Sequence, residues 1–416
     1  MKIALVISSL GAGGAERVMI TLANYWAARG RAVTLLTFAP PGTRPYYALD
    51  PRVTLRELDL VASRRRLLSL RQSVHRVLVL RREIRAIEPD VVISFLAKIN
   101  VITVLATRGL DVGVIVSERN NPLRQVVNPV WRWLRLRLYG VADRLVTPSR
   151  GVLTSLPAAV RARGRVIPNP VDLPEPSPRR TDGRTLVAVG RLDEQKGFDI
   201  LLPAFAKIAG RHPEWRLVIW GDGELRTELE ALRDHLGLAD RVQMPGVTAR
   251  PGQWVDDASL FVLSSRYESF GNVVTEAMAA GLPVLVTDCP WGPGEIVRHD
   301  VDGWLVPPED GAALAEGLDR LMGDDALRAR LAAAALRNVR RFGRERVMAL
   351  WDELVEGLRP DAAGTVAAGD MQPSAQAGGP GGARHPAPAA RVRHEAGFRH
   401  RRDPDPAAAP HHDRRS

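Results

Sequence analysis

Short uninterrupted apolar runs alternate along the chain with longer stretches in which apolar residues return every third or fourth position. That alternation predicts buried strands separated by amphipathic helices. Ile3 to Ser8 is the first strand, Leu10 to Gly14 a glycine-rich turn, Ala15 to Ala28 a helix stopped by Arg29-Gly30, and Ala32 to Phe38 a second strand. Further strands fit Val53 to Leu58, Val91 to Phe95, Val112 to Ser117 and Arg144 to Pro148, with helices at Leu67 to Ile87, Ile99 to Thr107 and Pro129 to Tyr139. A strand, helix, strand opening implies a parallel sheet covered on both faces.

Near Asn169 the pattern breaks. Pro168-Asn169-Pro170, then Pro174, Pro176, Pro178 and polar residues to Arg184, form a linker that sustains neither helix nor strand. A second series follows, with strands at Thr185 to Val189, Arg216 to Trp220, Val242 to Met244, Leu260 to Leu263 and Val284 to Thr287, and helices at Phe198 to Gly210 and Glu224 to Leu236. The last periodic segments are Gly311 to Met322, Ala326 to Val339 and Arg344 to Leu358. Residues 360–416 hold five of the nine histidines and hardly any large apolar residue. They cannot bury enough surface to offset ordering and are expected to be disordered; the histidines lack ligand spacing, and a frameshifted reading frame is another origin for such a tail.

Composition narrows the class. A chain of 416 residues accommodates two or three domains, and its single cysteine, Cys289, excludes an internal disulfide and points to a reducing compartment. No run approaches the roughly 20 apolar residues of a membrane span, and the first strand, with only Lys2 before it and glycines after it, does not read as a signal peptide. The net charge of +11 is uneven, with +15 over residues 1–175, −6 over 176–359 and +2 over 360–416. A basic amino-terminal half suits anionic lipid, an anionic substrate or nucleic acid.

The densest candidate chemistry runs from Tyr267 to Leu285. Glu268 lies on the loop at the carboxyl end of the strand Leu260 to Leu263, and Glu276 a little over one turn inside the helix Asn272 to Ala280. Open α/β sheets bind ligands at that edge, where a helix amino terminus offers N–H groups and a positive dipole to an anion. Carboxylates repel phosphate, so sugar and ribose hydroxyls are their natural partners. In the same half, Gly190 to Phe198 follows a strand and opens a helix, and Arg191 and Lys196 suit a diphosphate whose charge grows as a bond to it breaks. A solvated turn is the plainer alternative. Leu10 to Glu16 resembles a dinucleotide fingerprint, but Glu16 stands where its third glycine would fall and no acidic residue ends the second strand. Backbone approaching a ligand between two domains is the better reading.

Two basic segments carry apolar residues: Ser63 to Arg85, with Arg64, Arg65, Arg66, Arg71, Arg76, Arg81, Arg82 and Arg85, and Pro129 to Tyr139, with Trp131, Trp133, Arg132, Arg135 and Arg137. They suit an anionic membrane interface or, more plainly, helices packed inward behind a solvated arginine face. Asp300-Val301-Asp302-Gly303 has the spacing of an acidic metal pair but precedes a strand and reads as a turn.

Gly13-Gly14-Ala15-Glu16, Pro168-Asn169-Pro170-Val171-Asp172, Gly190-Arg191-Leu192 with Lys196-Gly197, Gly221-Asp222-Gly223, and Glu268 to Glu276, in this order and spacing, resemble the retaining glycosyltransferases of family 4 over roughly residues 1–356. The resemblance implies an α/β GT-B fold, two Rossmann-like doubly wound domains facing across a cleft. It divides the chain into an acceptor-side domain 1–170, a nucleotide-sugar domain 171–343, a helix 344–358 crossing back onto the first domain, and the tail 359–416. It casts Arg191 and Lys196 as holders of the donor diphosphate, Glu276 as the ribose carboxylate and Glu268 as the one facing the donor sugar. Phe270, Gly271, Asn272 and Val273 complete the donor cradle, and Gly13 and Gly14 approach from the other domain. It implies no metal and no cofactor beyond the nucleotide-sugar substrate, and retention through a front-face displacement assisted by the leaving diphosphate. Many family members place a first-domain histidine near the reacting centre, where this chain has Ser117-Glu118-Arg119-Asn120. Relatives acting on lipid-linked oligosaccharides are similar here, which makes Glu118 and Arg119 acceptor-side candidates, with Arg119 suited to a phosphate.

The resulting expectation is a cytoplasmic, membrane-peripheral enzyme moving a sugar from a UDP-linked donor to a lipid-linked or glycan acceptor in envelope polysaccharide assembly. An epimerase or a glycan phosphorylase would share the two-domain shape. Nucleic-acid binding is disfavoured because the basic runs lack a recognised module.

Overall fold

The computed structural model describes residues 1–60, 68–122, 129–173 and 183–358, with the side chains of 68–70 and 129–130 left aside. Arg64 to Arg66, most of the proline-rich linker and the tail 359–416 lie outside the described residues.

The first half contains β1 (Lys2–Ile7), α1 (Gly14–Ala28), β2 (Ala32–Thr37), β3 (Thr54–Glu57), α2 (Leu68–Ile87), β4 (Val91–Phe95), α3 (Ala97–Thr107), β5 (Gly113–Ser117), α4 (Pro129–Tyr139), β6 (Arg144–Thr147), α5 (Arg150–Thr154), α6 (Ala158–Arg161) and β7 (Gly164–Val166). The second contains β8 (Thr185–Val189), α7 (Phe198–Ala209), β9 (Arg216–Trp220), α8 (Arg226–His235), β10 (Val242–Gly246), β11 (Leu260–Leu263), α9 (Asn272–Ala279), β12 (Val284–Thr287), α10 (Pro293–Ile296), β13 (Trp304–Val306), α11 (Gly311–Gly323), α12 (Asp325–Asn338) and α13 (Arg344–Glu356).

The first sheet runs β3-β2-β1-β4-β5-β6-β7 and the second β10-β9-β8-β11-β12-β13, and the strand pairs in both are parallel. Every residue of β4 and β11 is buried, as parallel strands roofed on both faces require. The order reverses beside β1 and again beside β8, and at such switch points the loops leaving neighbouring strands diverge and open a crevice. The two halves are thus doubly wound α/β sheets, as the hydrophobic alternation predicts.

The chain crosses between the halves at adjacent points. Val171, leaving the first half, accepts from Arg344 N (3.1 Å) and donates to Phe342 O (2.9 Å) where α13 begins. Helix α13 then buries Val347, Met348, Trp351, Leu354 and Val355 in the core formed by β1, α1 and β4. Trp351 meets Trp26 edge-on at 6.5 Å and Phe95 at 6.3 Å, while Asp352 accepts from Trp26 Nε1 (2.8 Å) and the Tyr25 hydroxyl (3.0 Å). The acidic turn 300–303 is structural: the fully buried Asp302 accepts from Arg298 N (2.6 Å) and Asn338 Nδ2 (2.8 Å). Among the described residues no group of three or more His, Cys, Asp or Glu is placed to hold a metal, and no helix is long and apolar enough to cross a membrane.

Candidate active site

Loops from the carboxyl ends of β1, β8 and β11 converge on a cavity of about 700 Å³. Gly11 to Arg17 line it from the first half, and Arg191, Lys196, Glu268, Ser269 to Val273 and Glu276 from the second. The loop after β8 is seated by close backbone packing: a Cβ on Gly221, whose φ is +141°, would fall 1.8 Å from Gly190 O. Helix α9 begins at Gly271 with no side-chain cap, so its first N–H groups remain available to an anion in the cavity.

Lys196 and Glu268 touch. Lys196 Nζ donates to Glu268 Oε1 at 2.6 Å, and Ser265 Oγ donates to the same oxygen at 2.9 Å. Glu268 is buried at the cavity wall, and both donors hold the same carboxylate oxygen. Arg191, by contrast, is largely exposed, its Nε 3.3 Å from Asp193 Oδ2. It is the freer cation of the two, open to an incoming diphosphate.

Glu276 faces the first half. Its carboxylate is paired with Arg17 Nη1, and Arg17 Nη2 lies 3.8 Å from Asp172 Oδ2, while Asp172 Oδ1 is paired with Arg344. Enclosure raises the Glu276 carboxyl above the ordinary glutamate range while Arg17 pulls it back down. Burial likewise raises the Tyr47 hydroxyl, with Glu276 adding to the effect.

A third set of contacts also spans the cleft. Asn272 Nδ2 donates to Gly14 O at 3.2 Å, Asn169 Nδ2 donates to Asn272 Oδ1, and Arg119 Nη1 donates to Asn169 Oδ1. Ser269 Oγ donates to Arg119 O at 2.7 Å, and Tyr46 donates to Thr248 O at 3.0 Å. Gly14 leaves room for this contact, since a Cβ there would stand 2.5 Å from Asn272 Nδ2 and displace that amide.

Of the two acceptor-side candidates, Glu118 stands away from the cavity and Arg119 at its border. Glu118 does not line the cavity; it is fully buried, accepting from Tyr139 (2.9 Å) and Asn120 N (3.3 Å), with Arg135 Nη1 at 3.8 Å. Burial raises its carboxyl above the ordinary glutamate range, while Arg135 and the Tyr139 hydroxyl draw it back. Arg119 borders the cavity, but its guanidinium stacks over Phe95 at 4.2 Å and lies 5.7 Å from Trp351. Its Nε and Nη2 are buried without a hydrogen-bond partner in the protein, and burial pulls the group down to about 9.

Arg17, Asn169 and Tyr46 carry contacts that sequence reasoning did not single out. Arg17 and Asn169 lie inside or beside quoted motifs, yet each reaches a partner in the opposite half, Glu276 and Asn272.

Residues 172–338 match the family model described as Glycosyl transferases group 1, and residues 12–175 that described as Glycosyltransferase Family 4. An exopolysaccharide phosphotransferase of Streptomyces coelicolor is 31% identical over 83% of this chain, which spans 39% of that relative's length. A Campylobacter jejuni α-1,4-N-acetyl-D-galactosaminyltransferase, named for a GalNAc-containing diphospho-undecaprenol substrate, is 26% identical over 86% of this chain and 99% of its own. The crystal structure of Anabaena HepE in complex with UDP and glucose superposes with a TM-score of 0.71 at 22% identity, covering 86% of this chain and 100% of that one. The fold is GT-B, and the two family models, lying side by side over residues 12–338, support a glycosyltransferase of that type.

Proposed function

We propose that the chain transfers a sugar from a nucleoside diphosphate donor, UDP-linked, to a lipid-linked or glycan acceptor with retention of anomeric configuration, as a family 4 enzyme of envelope polysaccharide assembly. The observation that carries this reading is the convergence of Lys196, Arg191, Glu268 and the uncapped start of α9 on one cavity. In it the diphosphate takes Arg191, Lys196 and the α9 amides, which stabilise the charge growing on the leaving oxygen without a metal ion. Glu268 is then released from Lys196 toward the sugar hydroxyls, and Glu276 receives the ribose. Retention follows when the acceptor hydroxyl attacks from the face the diphosphate leaves and passes its proton to a diphosphate oxygen. The UDP in the HepE structure and the diphospho-undecaprenol in the Campylobacter relative's name support the choice of donor and acceptor.

A cytoplasmic site on the inner membrane face belongs to the same proposal. Helices α2 and α4 flank α3 and bury Leu80, Ile84, Leu138 and Tyr139 inward. Their outer faces leave Val74, Leu78 and Trp133 exposed beside Arg71, Arg82, Arg85, Arg132 and Arg137. Apolar side chains set among cations suit an anionic bilayer surface. The donor assignment is tested by thermal shift against a panel of nucleotide sugars: a UDP-sugar should raise the midpoint most by mass action, and stabilisation by none of them overturns the reading.

A further inference from the structure

Glu276 belongs to the second half of the molecule, but the cation that faces it belongs to the first. Arg17 lies on the first turn of α1, its N–H bonded to Gly13 O at 3.1 Å, and its guanidinium reaches across the cavity mouth to Glu276. The groups facing Glu276 come from three segments: Arg17 on α1, Tyr47 on the loop after β2, and Asp172 on the connection between the halves, itself paired with Arg344 of α13. Tyr47 turns its hydroxyl to Ala12 O at 3.2 Å. Arg17 is therefore the cation that directly offsets Glu276.

A carboxylate that receives two ribose hydroxyls must be ionised and fixed in orientation, because a protonated carboxyl has lost part of its accepting capacity. Glu276 is enclosed, with a side chain only 16% exposed, which favours the protonated form. The Arg17 pair works against that by supplying charge and by holding one carboxylate oxygen, leaving the other and the remaining lone pairs for the ligand.

We infer that Arg17 is a positioning residue for nucleoside recognition: from the opposite half it keeps Glu276 ionised and oriented, so the ribose is bound in full only when the two halves are closed. This rests on the reading that Glu276 takes the ribose. Donor recognition is then a joint property of both halves, and a nucleotide bound to the second half alone lacks part of its ribose contact.

The test uses the full chain and Arg17→Gln, Arg17→Lys and Glu276→Gln. UDP, GDP and ADP and their 2′-deoxy counterparts are titrated by calorimetry from about pH 6 to about pH 8.5. Wild type should prefer the ribo form by about tenfold, the scale of one charge-assisted hydrogen bond. Glu276→Gln should abolish that preference. Arg17→Gln should reduce it to within about twofold at the acid end and recover part of it at the alkaline end, because without Arg17 the carboxyl protonates at higher pH. Arg17→Lys should hold the wild-type pH profile with an intermediate preference, and it carries the test alone if Arg17→Gln does not fold. A wild-type preference in both Arg17 variants, with Glu276→Gln losing it, overturns the role of Arg17 and leaves the ribose reading standing. A preference unmoved in Glu276→Gln overturns both, and weaker binding of ribo and deoxy forms in equal measure marks Arg17 as merely structural and also overturns the inference.

Discussion

Gly14→Ala pits local helix propensity against a contact across the cleft. At the first position of α1, replacing glycine by alanine should leave the helix unharmed or more stable, by up to about 1 kcal/mol. Its Cβ, however, would stand 2.5 Å from Asn272 Nδ2, against the 3.4 Å at which ordinary contact begins. The amide of Asn272 must retreat by roughly 0.9 Å, which breaks its bond to Gly14 O and strains the one received from Asn169. One or two such bonds are worth about 1–3 kcal/mol, so the closed form should be disfavoured by roughly 5–150-fold. Thermal unfolding should therefore show an unchanged or raised midpoint while kcat/KM for sugar transfer falls by at least about fivefold. Asn272→Ala removes the clashing group, so in a double-mutant cycle Gly14→Ala on that background should add almost nothing. Wild-type kcat/KM for Gly14→Ala, or additive losses in the double variant, would refute the reasoning.

Trp351 is fully buried between Trp26 and Phe95, and Trp351→Ala should destabilise the first half by about 3–5 kcal/mol in urea unfolding, with a loss below about 1 kcal/mol counting against the core described here. Burial raises the Glu118 carboxyl, so the native state holds that proton more tightly than the unfolded chain. The resulting stability is present in full below the unfolded value and lost as pH rises through the native one. Wild-type stability minus that of Glu118→Gln should accordingly grow as pH falls from neutral toward 4.5, and a flat or shrinking difference in urea titrations would contradict it. Trp133→Ser combined with Leu78→Ser should cut co-sedimentation with phosphatidylglycerol vesicles by about fivefold, and undiminished sedimentation would remove these faces from the membrane proposal.

Most strands were legible because they are short, largely apolar runs bounded by turn residues. β7 was not: its three residues at the sheet edge are at best half-buried, and edge strands carry little hydrophobic signal. Helices α5 and α6 are too short to show a period. The second half's side of the cavity could be read because Lys196, Glu268 and, within α9, Glu276 all follow strands of one sheet, where position follows from the order of strands and turns. Contacts depending on how the halves dock could not. Arg17 finds Glu276, and Asn169 joins Arg119 to Asn272, only once the two sheets face each other. Arg119 illustrates the limit: a polar run after a strand suggests an exposed cation, yet Phe95 and a tryptophan from the last helix cover it.

The most direct test of the central claim is transfer of labelled sugar from the stabilising nucleotide sugar to an undecaprenyl diphosphate-linked acceptor, comparing wild type with Lys196→Ala. In the proposed reaction Lys196 supplies charge to the leaving diphosphate, and in the structure it holds Glu268 at 2.6 Å, so the account predicts transfer by wild type and a fall of about a hundredfold or more in kcat/KM for the variant. Full transferase activity in Lys196→Ala would contradict it.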